Sequence, residues 1–268
     1  MFNRFLIFSF IALMMLGLNA FADTSLVYPL EKTMPSGSKV DFGSISPGET
    51  LELTISNATG YGTDFVWDQA AVDSEAFPVG WASEDSKPYG PTHTVKIIIG
   101  KDTAEGSYSF KVTMANLARN IRDESFEGSV IVRKDLHKAS FSELSKETLV
   151  NVPVFFELTL INDSISDHLF LFSSNLPNDW MQSENILVSK KSVVTKLIEV
   201  KPLVYGYKRF KFFIDSKLTG KNLASFDAMI TANPTLKNKF DVGLYGFPFF
   251  TPGIALNYFV NALISFFI

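Results

Sequence analysis

Histidines, cysteines and grouped acidic side chains are common carriers of catalysis and metal binding, and this 268-residue chain has few of them. It contains no cysteine, which excludes disulfides, iron–sulfur clusters, thiolate zinc sites and thiol nucleophiles. Its three histidines, His93, His137 and His168, have no second histidine or carboxylate at the i+4 spacing that a helical metal site requires. We therefore predict no metal site and no cofactor, and we expect the histidines to lie in solvent.

One short segment has some features of a cation-binding loop. Asp163 and Asp167 bracket Ser164 and Ser166, which brings oxygen-bearing side chains together along the chain. A calcium loop of the EF-hand type also has a central glycine and a terminal glutamate, and both are missing here. A solvated polar turn is the better interpretation.

The chain lacks the short signatures of several large enzyme classes. Gly-x-Ser-x-Gly, a phosphate-binding glycine-rich loop ending in lysine, and His-Glu-x-x-His are absent. A net charge of −4 argues against nucleic-acid binding, because no excess of cations is available to neutralise phosphates. A glycosidase pair of carboxylates stays open, since such pairs form in space without a sequence signature. We predict that the protein is not an enzyme.

The three tryptophans are the remaining candidates for a binding role. Trp81 and Trp180 each follow an apolar-Pro turn, and their repetition at matching positions indicates side chains of the structural core. The alternative is a pair of surface rings that stack on a sugar. Trp67 has no counterpart, and it is the better candidate for a surface contact.

Two sequons suggest glycosylation. Asn57-Ala58-Thr59 and Asn162-Asp163-Ser164 fit Asn-x-Ser/Thr, whereas Pro234 excludes Asn233. Both follow a matched strand, so Asn57 and Asn162 are expected in exposed loops if the source glycosylates exported proteins. The alternative is that each asparagine simply ends a strand by turning the chain.

Short alternating runs separated by turn signals fill residues 23–233, and long amphipathic helical stretches are missing there. Residues 51–57 match residues 156–162 at an offset of 105, and three later segments match at offsets of 99 to 100. Four matches in one order predict a tandem repeat. We predict an all-β protein of two sandwiches, residues 23–134 and 135–233, since about 100 residues is a normal sandwich size.

A recurring order of motifs carries a family resemblance. In the first copy the motifs are Pro-Gly-Glu-Thr with an alternating strand ending in asparagine (residues 47–57), apolar-Pro-x-x-Trp (77–81) and Glu-Gly-x-Tyr-x-Phe-x-Val within residues 104–114. This order resembles the NEW3-type, immunoglobulin-like repeats of envelope and cell-surface proteins. The second copy departs from it, with Ser145-Lys146 in place of Pro-Gly and Asp179 before the tryptophan. The resemblance implies tandem immunoglobulin-like sandwiches that act as spacers or binding modules.

Residues 1–22 have the three parts of a secretory signal peptide. Arg4 supplies the basic start, an uncharged run follows, and Ala20-Phe21-Ala22 is a small-x-small cleavage site. We expect cleavage before Asp23, which N-terminal sequencing would show. The apolar run is shorter than the ~20 residues of a spanning helix, so an uncleaved anchor and a buried core helix are less favoured.

The other end of the chain also suits a membrane. After a linker at residues 234–241, residues 242–268 contain no charged side chain. Proline and glycine interrupt their first part, so we predict a helix that begins at Pro252. Asn257 and Asn261 have i,i+4 spacing on one face of this helix, where they can join it to other helices by hydrogen bonding.

The charges around this segment oppose a simple anchor. Lys237 and Lys239 precede it and nothing basic follows, which reverses the positive-inside preference for a chain whose body is exported. We predict a C-terminal transmembrane anchor from its length and apolarity. The alternatives are a lipid-anchor signal that is later removed and a hydrophobic docking strand.

Together these features predict an exported protein of the cell surface or envelope, with its β domains outside the membrane. It would be a non-catalytic spacer or adhesion protein that holds an unknown protein or glycan partner. One alternative is an accessory subunit of a membrane-embedded complex, in which Asn257 and Asn261 find partners that a lone lipid-facing anchor lacks. Another is a secreted carbohydrate-binding module, which requires exposed coplanar aromatic rings.

Overall fold

The structure is a computed structural model that describes residues 24–61, 65–86, 90–118, 121–235 and 252–267. They fall into two compact units. The first comprises the described residues up to Leu136 together with residues 164–166, and the second comprises residues 137–163 and the described residues from Asp167 onward. Regular structure is mostly β-strand, which confirms the all-β prediction.

The first unit contains two β-sheets. Its strands are β1 (Thr24–Tyr28), β2 (Lys32–Met34), β3 (Lys39–Ile45), β4 (Thr50–Ser56), β5 (Gln69–Val72), β6 (Ala82–Glu84), β7 (Thr92–Ile98), β8 (Gly106–Ala115) and β9 (Glu124–Val132). One sheet has the order β2-β1-β4-β7-β6 and the other β3-β9-β8-β5. Neighbouring strands are antiparallel, except that β3 runs parallel to β9.

Alternation along the strands builds the core of this unit. In β4, Leu51 and Leu53 are buried, and they lie opposite the buried Ile97 and Val95 of β7. In the other sheet, Gly128 makes room for a pair of stacked rings, because a Cβ at this position would lie 2.4 Å from Phe110 and 2.8 Å from Phe42. The ring centroids of these two phenylalanines are 5.9 Å apart.

The second unit also has two sheets. Its strands are β10 (His137–Phe141), β11 (Ser145–Leu149), β12 (Val154–Asn162), β13 (His168–Ser174), β14 (Glu184–Val188), β15 (Ser192–Val200), β16 (Gly206–Ser216) and β17 (Asn222–Asn233). The sheet orders are β10-β12-β15 and β11-β17-β16-β13-β14, with β11 parallel to β17. Aromatic rings fill the core, and the Phe212 ring centroid lies 4.9 to 5.2 Å from those of Phe141, Phe156 and Phe172.

Both units repeat one immunoglobulin-like strand order, as the tandem repeat predicts. They differ in the strand that follows the apolar-Pro-x-x-Trp turn. In the first unit this strand is β6, which pairs with β7. In the second unit it is β14, which pairs instead with β13 in the other sheet.

The strand register corrects one predicted match. Leu51 lies opposite Ile97, and its predicted counterpart Phe156 lies opposite Ile198, so the offset between β7 and β15 is 101 residues rather than 99. A two-residue slip keeps every side chain on the same face of the sheet, so the alternation of the sequence does not reveal it.

A second correction concerns the turn before β12. Ser145 and Lys146 do not replace Pro-Gly there, because they lie in β11. The turn that leads into β12 contains Asn151, whose φ of 65° is the left-handed conformation that Gly48 adopts before β4.

One helix, α1 (Pro252–Phe267), follows the sandwiches, and it begins at the proline from which the sequence predicts it. In the part of the chain that the structure describes, no helix is long and apolar enough to cross a membrane. The predicted signal peptide at residues 1–22 lies outside the described residues, as do most of the linker and residues 242–251.

Candidate functional site

The three histidines are buried, so the expectation that they lie in solvent is wrong. His93 lies on the inward face of β7, where its Nε2 is 2.7 Å from the carbonyl oxygen of Trp67 and its Nδ1 is 3.2 Å from Ser86 Oγ. His137 and His168 begin β10 and β13 at inward-facing positions. Strand alternation is the sequence signal that could have placed them inside.

His137 and His168 come together in the second unit. Their ring centroids are 3.9 Å apart, and both rings lie within 5.5 Å of the Phe170 ring. Nε2 of His168 is 3.0 Å from Ser216 Oγ. The sequence separates the two histidines by 31 positions, so their proximity depends on the sandwich.

Trp67 is not a surface contact, although its lack of a counterpart in the other repeat suggested one. Its side chain is 1% exposed, and its backbone amide donates to the carbonyl of Asn57 at 2.8 Å. It belongs to the core of the first unit, in which a ring of this size fills the space between sheets.

The polar segment at residues 164–166 groups with the first unit. Ser164 is fully buried and its hydroxyl bonds the carboxylate of Glu49, which is itself buried and accepts the amide of Ser46 at 2.8 Å. Ser166 Oγ donates to the carbonyl of Thr50 at 2.8 Å. The expected solvated turn is therefore wrong for these serines, and Glu49 is a buried polar residue that the sequence analysis missed.

The two predicted glycosylation positions differ in accessibility. Asn57 is partly exposed and donates to the carbonyl of Gly90 at 3.0 Å. Asn162 is fully buried, and its amide nitrogen donates to the carbonyls of Val188 and Ser189 at 3.1 and 3.2 Å. The expectation of an exposed Asn162 is wrong, because β12 extends through this residue and turns it inward.

Trp81 and Trp180 occupy the same local turn. The amide of each donates to the carbonyl of the proline three residues earlier, at 3.1 Å for Trp81 and 2.9 Å for Trp180. Trp81 is buried, and its Nε1 donates to Thr103 Oγ1 at 2.9 Å. Trp180 is partly exposed and packs on the edge of the second core.

A surface cavity of about 430 Å³ lies beside Trp180 in the second unit. The ammonium of Lys196, on β15, lies 2.5 Å from a carboxylate oxygen of Glu184, on β14, so an ion pair links the edge strands of the two sheets here. Trp180 is the one aromatic side chain among the described residues that line the cavity. The lining includes Trp180, Met181, Glu184, Lys196, Ile198 and Lys201.

No family model and no curated protein matches this chain. Among solved structures, a chimeric titin Z1Z2 gives a TM-score of 0.40 at 11% identity, over 81% of this chain and 98% of that one. The fibronectin(III)-like modules of Clostridium thermocellum CbhA give 0.29 at 12% identity, over 79% and 94%. The D00-D0 domain of intimin gives 0.29 at 10% identity, over 78% and 99%. The strand order of each unit is immunoglobulin-like.

Proposed function

We propose that this chain is an exported, membrane-tethered protein whose two immunoglobulin-like modules act as non-catalytic spacer and interaction domains. The observation that carries the proposal is that the side chains best suited to catalysis or binding are buried and take part in packing. His93, His168, Trp67 and Glu49 are buried within the sandwiches, where they bond or contact neighbouring core residues. The NEW3-type resemblance is part of the same proposal.

Tethering is proposed from the chemistry of the C-terminal segment. Residues 242–268 carry no charged side chain, and α1 exposes large apolar residues to solvent. Phe259 is 48% and Ile264 is 51% exposed, an arrangement that favours contact with lipid or with an apolar partner.

Membrane fractionation tests this proposal. The full chain is expected in the pellet after carbonate extraction, and truncation after Asp241 is expected to release it. Phe259→Lys together with Ile264→Lys keeps the length of the tail and is expected to weaken retention. The matched control, Leu149→Lys with Leu187→Lys, puts the same charges on exposed strand positions and should leave the chain in the pellet. Extraction of the unmodified full chain would contradict integral tethering.

An accessory subunit of a membrane complex is the second candidate, because α1 includes both Asn257 and Asn261. Changing both to leucine removes polar atoms from lipid in a lone anchor, so retention should hold or improve. In a complex the same change removes interhelical hydrogen bonds, and a tagged chain should lose its partner in a mild-detergent pull-down. A carbohydrate-binding module is less favoured, since the Trp180 cavity offers one ring rather than a coplanar set.

A further inference from the structure

The outer edge of β15 has no strand partner among the described residues, where the order of its sheet is β10-β12-β15. In the first unit the equivalent edge is covered, because β6 pairs with β7 through Ala82–Ile98, Ser83–Ile97 and Glu84–Lys96. The switch of β14 to the other sheet therefore leaves β15 open at the position that β6 fills in the first unit.

The open edge is long and regular. β15 has 9 residues and pairs with β12 without a bulge, and its sequence contains no proline. An edge of this kind is a template for a further strand, because its amides and carbonyls on that side are unpaired by the sheet.

One hydrogen bond shows which residues of β15 face the open edge. The amide of Lys201, one residue beyond the strand, donates to the carbonyl of Trp180 at 2.9 Å, on the side away from β12. Alternate residues of an extended strand direct their amides and carbonyls the same way. The odd-numbered residues of β15 thus present their backbone groups to the open edge.

The same odd-numbered residues have solvent-exposed side chains on the outer face of the sheet. Val193 is 60% and Leu197 is 63% exposed, and Thr195 and Glu199 are exposed between and beyond them. Lys191, in the turn just before the strand, is exposed at the opposite end from Glu199; its φ is 49° and its ammonium donates to the carbonyl of Asp163. The edge is therefore apolar in the middle, with a carboxylate at one end and a long lysine side chain in the turn before the other.

We propose that the occupant of this edge is β15 of a second copy of this chain, in an antiparallel pair whose two-fold axis passes through Thr195. This register places Val193 opposite Leu197 and brings the Lys191 side chain of one copy next to Glu199 of the other, twice each by symmetry. It also matches odd-numbered residues with odd-numbered residues, so the outward amides and carbonyls face each other.

The neighbouring registers are worse. A pair centred on Val194 places Val193 opposite Thr195 and Lys191 next to Leu197. A pair centred on Lys196 brings two ammonium groups together and places Val193 opposite Glu199. A pair centred on Leu197 places Val193 opposite Lys201 and Thr195 opposite Glu199. Charge and apolar complementarity therefore select the register centred on Thr195, and the dimer joins two three-stranded sheets into one of six strands.

The absence of cysteine from the chain permits a clean test by cross-linking. Thr195→Cys in the full chain places the two new thiols on residues whose Cα atoms are about 5.5 Å apart across the two-fold axis, within the range of a disulfide. Glu157→Cys is the matched control, exposed on the same face but one strand further in and opposite Leu197, which separates the two Cα atoms by about 20 Å in the proposed dimer. After mild oxidation, the Thr195→Cys chain should run as a covalent dimer and the Glu157→Cys chain as a monomer.

Charge reversal tests the register in the Thr195→Cys background. Glu199→Lys alone faces Lys191 of the other copy, and it should lower the dimer fraction about fivefold or more. Adding Lys191→Glu should restore the dimer. Glu157→Lys changes the net charge equally without an opposite partner, and it should leave the dimer fraction unchanged.

Three outcomes would overturn the proposal. Equal cross-linking of the Thr195→Cys and Glu157→Cys chains would indicate collision without a defined register. Failure of Lys191→Glu to rescue Glu199→Lys would exclude the register. Cross-linking that appears only after truncation at Asp241 would mean that a C-terminal segment of the same chain covers the edge. Each outcome leaves the fractionation test of tethering unaffected.

Discussion

The indole nitrogen of Trp81 donates a hydrogen bond to the hydroxyl of Thr103 at 2.9 Å, and that hydroxyl in turn donates to the carbonyl of Gly100 at 2.7 Å. The ring also lies against Tyr108, at 5.3 Å between centroids. Trp180 has the same backbone turn but lies beside an open cavity. One motif thus serves two environments.

This difference predicts unequal costs of truncation. Trp81→Ala should lower the free energy of unfolding of the first unit by about 3–5 kcal/mol, because it leaves a large cavity. Trp180→Ala should cost the second unit about 1–2 kcal/mol, since part of its ring is already in water. Urea denaturation followed by circular dichroism measures both. Thr103→Val leaves the Trp81 nitrogen unpaired and should lower the free energy of unfolding by about 1–3 kcal/mol. Equal losses for Trp81→Ala and Trp180→Ala would contradict the assignment of one buried and one partly exposed ring.

The close packing around Gly128 predicts that a larger residue at this position destabilises the first unit. Gly128→Ala forces a methyl group against the rings of Phe110 and Phe42, and such overpacking should destabilise the first unit by about 1–3 kcal/mol. Gly106→Ala on the neighbouring strand is the control, because its Cβ would lie 3.7 Å or more from Tyr108. Thermal melts that rank the two variants the other way would refute the packing argument.

The buried carboxyl of Glu124 makes the stability of the first unit depend on pH. Burial raises the pKa of its carboxyl, and Arg122 offsets this in part. Because the folded-state pKa is the higher one, the folded chain binds more protons between the two pKa values, and stability falls as pH rises through that window. Glu124→Gln removes the ionisation. Its free energy of unfolding should therefore match that of the unmodified protein near pH 4 and exceed it at pH 7 by less than about 1 kcal/mol. Urea denaturation at both pH values checks this, and a variant that is less stable at pH 7 would contradict it.

The two sequons predict different outcomes in a glycosylating host. Asn57→Gln should abolish the mobility shift that an endoglycosidase produces in the folded, exported protein. Asn162→Gln should leave that shift unchanged, because a glycan on Asn162 would break both of its buried hydrogen bonds. It should also destabilise the second unit by about 1–3 kcal/mol. A glycan mapped to Asn162 in the folded protein would contradict its burial.

Alternation and repetition were sufficient to predict the two sandwiches, because both patterns are visible along the chain without knowing which distant residues come into contact. Leu51 and Leu53 show their buried face directly in the sequence. Contacts between distant residues were beyond this reasoning. The pairing of His137 with His168, and the inward turn of Asn162, depend on where each strand begins and ends in the folded sheet.

The sequence also did not predict which of the two sheets the strand after each tryptophan turn joins. Residues 82–84 and 184–188 both follow an apolar-Pro-x-x-Trp turn, yet the first segment joins one sheet and the second joins the other. Such a choice depends on the competition between two edges, which only the assembled sandwich presents. The edge of β15 that has no strand partner in the described part of the chain is therefore a tertiary feature with no sequence signature of its own.

The parallel pairs near the ends of each unit have a mechanical consequence. β3 runs beside β9 from Lys39–Glu127 to Ile45–Val132, and β11 runs beside β17 from Ser145–Met229 to Leu149–Asn233. When a force separates the two ends of a unit, parallel neighbours slide along each other, and their hydrogen bonds are strained together instead of breaking one by one. In a chain without disulfides, these two ladders would set the pulling force that each unit withstands before it extends.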